Sequence, residues 1–149
     1  MTDAVTLTLP RLATEEGFRS GLYDDATGLP VKAPVGNATI GYGFNVQAGI
    51  SQGLASAILQ YQLGDVLKHL QQFAWFGALD PARASVLLDV AFNAGVSGLL
   101  HFPHMLAAVA AGDWSTARDE LLDSDAARAL PGRYGPLAEL LLNGQETPT

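Results

Sequence analysis

Along this chain the punctuation changes once, and that change limits what it can fold into. Over residues 20–46, Gly21, Gly28, Gly36, Gly41 and Gly43 alternate with Pro30, Pro34 and Asn37. Glycine and proline each stop a regular element within a few residues, so only short extended pieces joined by turns fit there. Val31–Val35 and Ala38–Tyr42 are the β-leaning stretches in between, and they predict a small twisted hairpin or three-stranded sheet. From Ser51 the period becomes helical. Leu59, Leu63, Val66, Leu70 and Phe73 recur at spacings of three and four, which predicts one long helix over about 51–72.

Helix signals bracket both sides. A first helix is expected over about 8–17, with Thr8 as cap, Pro10 in the first turn and Gly17 as a left-handed terminator. Asp80-Pro81 opens a helix to about Ala94, stopped by Gly95 and followed by a turn through Ser97 and Gly98. Further helices are expected near 102–111, over 114–123 behind an Asp113 cap, and from Pro131 to just before Gly144, with 145–149 as a tail. There is no internal repeat and no interdomain linker. The expectation is an α+β fold in one domain, 1–149. A small β-containing lobe (about 18–50) and a mostly helical lobe (1–17 and 73–144) are joined by the 51–72 helix. A two-lobed shape leaves a cleft for a ligand.

Composition narrows the function classes. A chain of 149 residues suits one domain, and 48% apolar against 15% charged residues argues for a packed core over disorder. Without cysteine there is neither a disulfide framework nor a thiolate nucleophile. Fifteen acids against eight bases give a net charge of −7, and Lys32 and Lys68 are the sole lysines. Nucleic-acid binding, which rests on phosphate neutralisation, is a poor fit, and anionic membranes would repel the chain. The uncharged stretches 33–64 and 90–112 are interrupted by glycine and amide or histidine residues, so no membrane insertion is expected. The opening Met-Thr-Asp-Ala-Val-Thr lacks the basic and apolar regions of a signal peptide, which points to synthesis in the cytoplasm without one.

The candidate chemistry lies between residues 15 and 43. Glu16 falls at a helix end, Asp25 in a turn, and Thr39 on a strand. A carboxylic acid and a carboxylate flanking one bond are what glycoside cleavage needs. At the C-terminal end of a helix the dipole and apolar neighbours disfavour a negative Glu16, which suits a general acid, while Glu15 is expected on the solvated face. Each residue also has a plainer role: Glu16 as a surface acid, Asp25 or the adjacent Asp24 as a turn aspartate, Thr39 as a good strand former. Other constellations are weaker. His101 and His104 have no carboxylate at ligand spacing, so no metal and no cofactor are expected. Gly41-Tyr42-Gly43 is no phosphate loop, and Gly95-Val96-Ser97-Gly98 no nucleophile elbow. Trp75 and Trp114 fit either the core or a sugar-stacking face.

Taken together, the residues resemble the phage-type lysozymes, glycoside hydrolase family 24. The family pattern of Glu, eight residues, Asp, then a strand Thr-Ile-Gly-x-Gly is met by Glu16, Asp25 and Thr39-Ile40-Gly41-Tyr42-Gly43, framed by Gly17, Arg19, Tyr23 and Gly28. Ala91-Phe92-Asn93-Ala94-Gly95, Gly112-Asp113-Trp114, Ser124, Pro131 and Arg133 continue the likeness, which spans about residues 8–144. The resemblance implies a lysozyme-like fold and cleavage of the β-1,4 bond between N-acetylmuramic acid and N-acetylglucosamine in peptidoglycan. It implies inversion, with Glu16 as acid and Asp25 and Thr39 holding the attacking water. Asn45, Phe92, Asn93 and Arg133 would serve the substrate cleft, Arg133 standing near Glu16. It further implies a monomeric endolysin acting on the wall in the periplasm and reaching it with the help of a holin. Two departures stand out: the segment Leu29–Ala38 is longer than in the shortest members, and Phe44 replaces a common histidine or arginine. A lytic transglycosylase, which would need Glu16 but tolerate loss of Asp25, and a non-catalytic wall-binding module are the rival readings.

Overall fold

The computed structural model describes residues 3–24, 26–31, 36 and 38–144. Asp25, part of the extended 29–38 segment and the 145–149 tail therefore lie outside the described residues. Eight helices and one two-stranded antiparallel sheet make an α+β fold among them.

Helix α1 is Ala4–Glu16, which starts four residues earlier than the sequence predicts. Asp3, not Thr8, is its cap: the Asp3 carboxylate accepts from the Thr6 amide at 2.8 Å. Thr8 is instead fully buried, and its hydroxyl donates to the Ala4 carbonyl at 2.7 Å and the Ser85 carbonyl at 3.1 Å. Pro10 sits inside the helix on its exposed face, where water can take the carbonyl bond that the ring displaces. Gly17 ends the helix at positive φ but with extended ψ (67°, 148°), outside the left-handed helical region expected of it.

Strands β1 (Thr39–Ile40) and β2 (Phe44–Asn45) pair in the register Thr39 with Asn45 and Ile40 with Phe44. A third extended contact, between Tyr23 and Pro30, is an isolated bridge; within the predicted strand Val31–Val35, residues 32–35 lie outside the described residues. A 3-10 turn, Val46–Ala48, follows β2 and ends at Gly49. A Cβ on Gly49 would collide with the Ser20 carbonyl, which itself accepts from the Ile50 amide at 2.7 Å. That close approach ties the start of the next helix to the segment leaving α1.

Helix α2 (Gln52–Leu70) begins with Ser51 accepting from Leu54, within two residues of the expected 51–72 span. Helix α3 (Ala74–Gly77) is a single turn that the periodicity does not announce. Helix α4 runs Pro81–Leu100 behind an Asp80 cap, with Gly95 non-helical at φ 79° and ψ 156°. The stop predicted at Gly95 is thus a break, after which the chain turns helical again through Ser97 and Gly98 instead of forming the expected turn. Helices α5 (Pro103–Ala111), α6 (Trp114–Leu122, capped by Asp113) and α8 (Pro131–Asn143, ended by left-handed Gly144) follow the local signals closely. The short α7 (Asp125–Ala129) was not expected.

The core is built around α4, which packs against α1, α2 and α8. Leu87, Leu88, Val90 and Leu99 of α4 meet Leu12, Leu63, Leu70, Tyr134, Leu137 and Leu141, all essentially inaccessible. Among the described residues α4 alone is long and apolar enough to cross a membrane. Half of its most apolar window is buried inside the molecule, as in a core helix.

Candidate active site

A cleft of about 310 Å³ opens between the end of α1, the segment leading to Tyr23, one face of α2, and Phe92. Glu16 and Gly17 form its lip; Arg19, Tyr23, Gln52 and Gln62 supply polar groups, and Ile50, Leu59 and Phe92 apolar ones. A lining of mixed apolar and hydrogen-bonding character suits a polar ring with hydrophobic faces.

Glu16 reaches the lip because α1 ends there. Its side chain is 48% exposed, with Phe18 and Phe92 among the apolar residues of the same cleft. It is paired: Arg133 Nη1 donates to Glu16 Oε1 at 3.2 Å. The arginine arrives from the first turn of α8 and is itself 9% exposed. Its other donors point inward, where Nε and Nη2 meet Asp89 Oδ1 at 3.2 and 2.9 Å. Asp89 lies in the middle of α4 with no exposure at all. Its second oxygen accepts from Arg11 Nε at 2.6 Å, and Arg11 Nη2 donates to the Ser85 carbonyl at 3.0 Å. Burial disfavours the Arg133 cation, but hydrogen bonds and charge from Asp89, and then from Glu16, outweigh it and raise its pKa. Among the described residues, no buried side-chain nitrogen or oxygen lacks a partner.

Sequence reasoning missed Asp89 and Arg11. A signal was present: Asp89 is the lone acid inside Val86-Leu87-Leu88-Asp89-Val90-Ala91, a run whose period buries it. A buried carboxylate needs a cation, and the partner had to be sought far away in sequence.

The remaining predicted residues divide. Phe92 lines the cleft beside Glu16. Asn93 follows it and accepts at Oδ1 from the buried Tyr134 hydroxyl at 2.9 Å. The Tyr134 pKa is raised by burial, against Arg133 and with a smaller push from Asp89. Thr39 and Asn45 face each other across the hairpin and are not among the lining residues of the cleft. Asn45 Oδ1 also accepts from the Gln47 amide at 3.0 Å, capping the 3-10 turn. The turn-aspartate role falls to Asp24, whose Oδ1 accepts from the Ala26 and Thr27 amides, both at 3.0 Å. Asp25 beside it lies outside the described residues. The tryptophans are off the cleft: Trp75 stacks on Phe73 at 5.3 Å and Trp114 lies under the Arg83 guanidinium at 4.0 Å, both against the core.

Comparison with known proteins bears on the family. The chain is 28% identical over 155 aligned positions to the pre-baseplate central spike protein Gp5 of Enterobacteria phage T4, covering 89% of this chain and 27% of that protein. It thus spans about a quarter of the length of that curated relative. The family model for phage lysozyme matches residues 13–133, from the last turn of α1 to the arginine that meets Glu16. The chain therefore belongs to the phage lysozyme family, a family of peptidoglycan-cleaving hydrolases.

Proposed function

We propose that the cleft is the active site of an N-acetylmuramidase that cuts the β-1,4 bond between N-acetylmuramic acid and N-acetylglucosamine with inversion. The observation that carries the reading is Glu16 on the lip of the cleft, held by Arg133 and accessible to a bound glycan. Glu16 in its acid form donates a proton to the glycosidic oxygen as the bond from that oxygen to the muramic C1 breaks. Water adds to C1 from the opposite face and gives its proton to Asp25, with the Thr39 hydroxyl orienting it. Exchange with solvent then returns both carboxyl groups to their starting states. Inversion asks for carboxyl groups roughly 6.5–9.5 Å apart, leaving room for that water. Phe92 would pack on a sugar face and Asn93 bond its substituents, while Asn45, on the hairpin outside the cleft lining, would meet a glycan that extends past the cleft; Arg133 would orient the acid more than touch the glycan.

Purified sacculi treated with wild type, Glu16→Gln and Asp25→Asn test the reading, with mass spectrometry of the soluble products. Reducing muropeptides from wild type and their loss in both variants are expected. A product lighter by one water, surviving Asp25→Asn, would make the protein a lytic transglycosylase. Retention on sacculi without release would make it a binding module.

The free endolysin setting, a monomer let through the inner membrane by a holin to act in the periplasm, is part of the same proposal. The match to a spike protein favours a second setting, in which the domain is carried on a particle and meets the wall from outside. Expression in a Gram-negative host with and without a holin separates them: lysis only with the holin supports the first.

A further inference from the structure

We propose that Arg11 and Asp89 are positioning residues for the reaction, fixing the Arg133 fork so that it holds Glu16 in place. The proposal rests on Glu16 being the general acid. Four charged side chains form a closed loop. Asp89 receives Arg11 on one oxygen and Arg133 on the other. Arg133 passes its remaining edge to Glu16. Glu16 returns to Arg11 through the last turns of the same helix, five residues along α1.

The donors of a guanidinium lie in one rigid plane. With Nε and Nη2 fixed by Asp89, the direction of Nη1 follows, and Nη1 is the atom that meets the acid. Exposure along the loop rises from 0% at Asp89 through 9% at Arg133 to 48% at Glu16. The shared carboxylate is therefore in the core, Arg11 is 21% exposed, and the Glu16 end meets water most. Arg11 has its own anchor, since its Nη2 and the Thr8 hydroxyl converge on the Ser85 carbonyl. One buried carboxylate shared by two arginines also keeps Arg133 from being fully neutralised inside the core, so that its outer edge still attracts Glu16.

A purely structural ion pair would behave differently, and a double variant tells them apart. Removing one partner strands a buried charge, whereas removing both and filling the space with apolar side chains is often neutral for folding. The full chain would be assayed on soluble, uncrosslinked glycan strands, with rates expressed per folded molecule by circular dichroism. Arg11→Met and Asp89→Asn are expected to lower kcat on the order of tenfold with KM changed less than about twofold, as for a misplaced acid. Arg11→Lys should recover part of the loss. In Arg11→Met with Asp89→Leu, which leaves Arg133 as the one cation deprived of Asp89, the melting temperature should rise above that of Asp89→Leu alone while kcat stays low. Recovery of kcat together with melting temperature would overturn the proposal, as would wild-type kcat in both single variants. Should the double variant not fold, Asp89→Asn and the Arg11→Lys against Arg11→Met comparison decide alone. A wild-type rate in Glu16→Gln would sink the reading of the acid itself. Inactive Glu16→Gln beside unaffected Arg11 and Asp89 variants would sink only the present proposal.

Discussion

Between Pro81 and Leu100 ten side chains are buried, including Ser85 and Asp89, while the paired strands Thr39–Ile40 and Phe44–Asn45 bury none. Both regions carry residues proposed for one reaction, but they hold them by different means. Asp89 of helix α4 is fixed by burial and by ion pairs to two arginines, Arg11 and Arg133. The hairpin fixes Thr39 and Asn45 by backbone pairing and by Asn45 capping the turn behind it. Ile40 is 63% exposed and Tyr42 fully exposed at the tip. A few exposed backbone hydrogen bonds make for a low local unfolding cost, and elements that admit or clamp ligands are drawn from that end of the scale. The contrast sets a rigid support behind Glu16 against a more compliant hairpin carrying Thr39.

The contrast can be broken most directly at Glu16. Glu16→Gln should lower muropeptide release about 10²–10⁴-fold while leaving the melting temperature near wild type, because the side chain is half exposed. A large fall in melting temperature would place Glu16 in the scaffold and blur the division. Asp89→Leu alone should cost about 3–5 kcal/mol in urea unfolding, since two guanidiniums lose their buried partner. Leu87→Ala, in the same helix, should cost about 2–5 kcal/mol for the transfer and cavity. Asp3→Ala is expected to cost about 1 kcal/mol near neutral pH. The Thr6 amide and hydroxyl hold the Asp3 carboxyl below the usual carboxylate range. With the folded pKa below the unfolded one, that contribution is complete above the unfolded value and is lost as pH falls through the folded value. Unfolding curves of wild type and Asp3→Ala should therefore converge in acid. Smallest of all, Tyr42→Ser should move stability by less than about 0.5 kcal/mol. A larger change would mean that the hairpin tip packs in solution.

How much of this was legible depended on distance along the chain. Asp80-Pro81, Asp113 and the Pro131 to Gly144 pair announce helix ends through bonds that close within three or four residues, and all act where expected. Thr8 misled for the opposite reason. Its hydroxyl serves Ser85, 77 residues away, and leaves the capping role to Asp3. The single-turn α3 and α7 are too short for a period to emerge, and a helix that resumes after Gly95 looks locally like one that has ended. At the site, Glu16, Phe92 and Arg133 were found through a motif, and the cleft brings the first two together with the third behind them. The network that holds them spans separations of 44, 78 and 117 residues, for which a single sequence offers only the oddity of an acid in an apolar run.

Arg83 shows how tightly the far side of the helical part is fastened. Its Nε and Nη2 donate to the carbonyls of Leu141 and Leu142 at 2.9 and 2.8 Å, its Nη1 meets Asp80 at 2.7 Å, and its plane covers Trp114. One side chain thereby rivets the beginning of α4, the end of α8 and the opening of α6. A lysine would keep the charge but lose the flat, many-pronged shape that lets one group fasten all three. Helix ends remote from the cleft would then loosen together while the lip carrying Glu16 stayed intact.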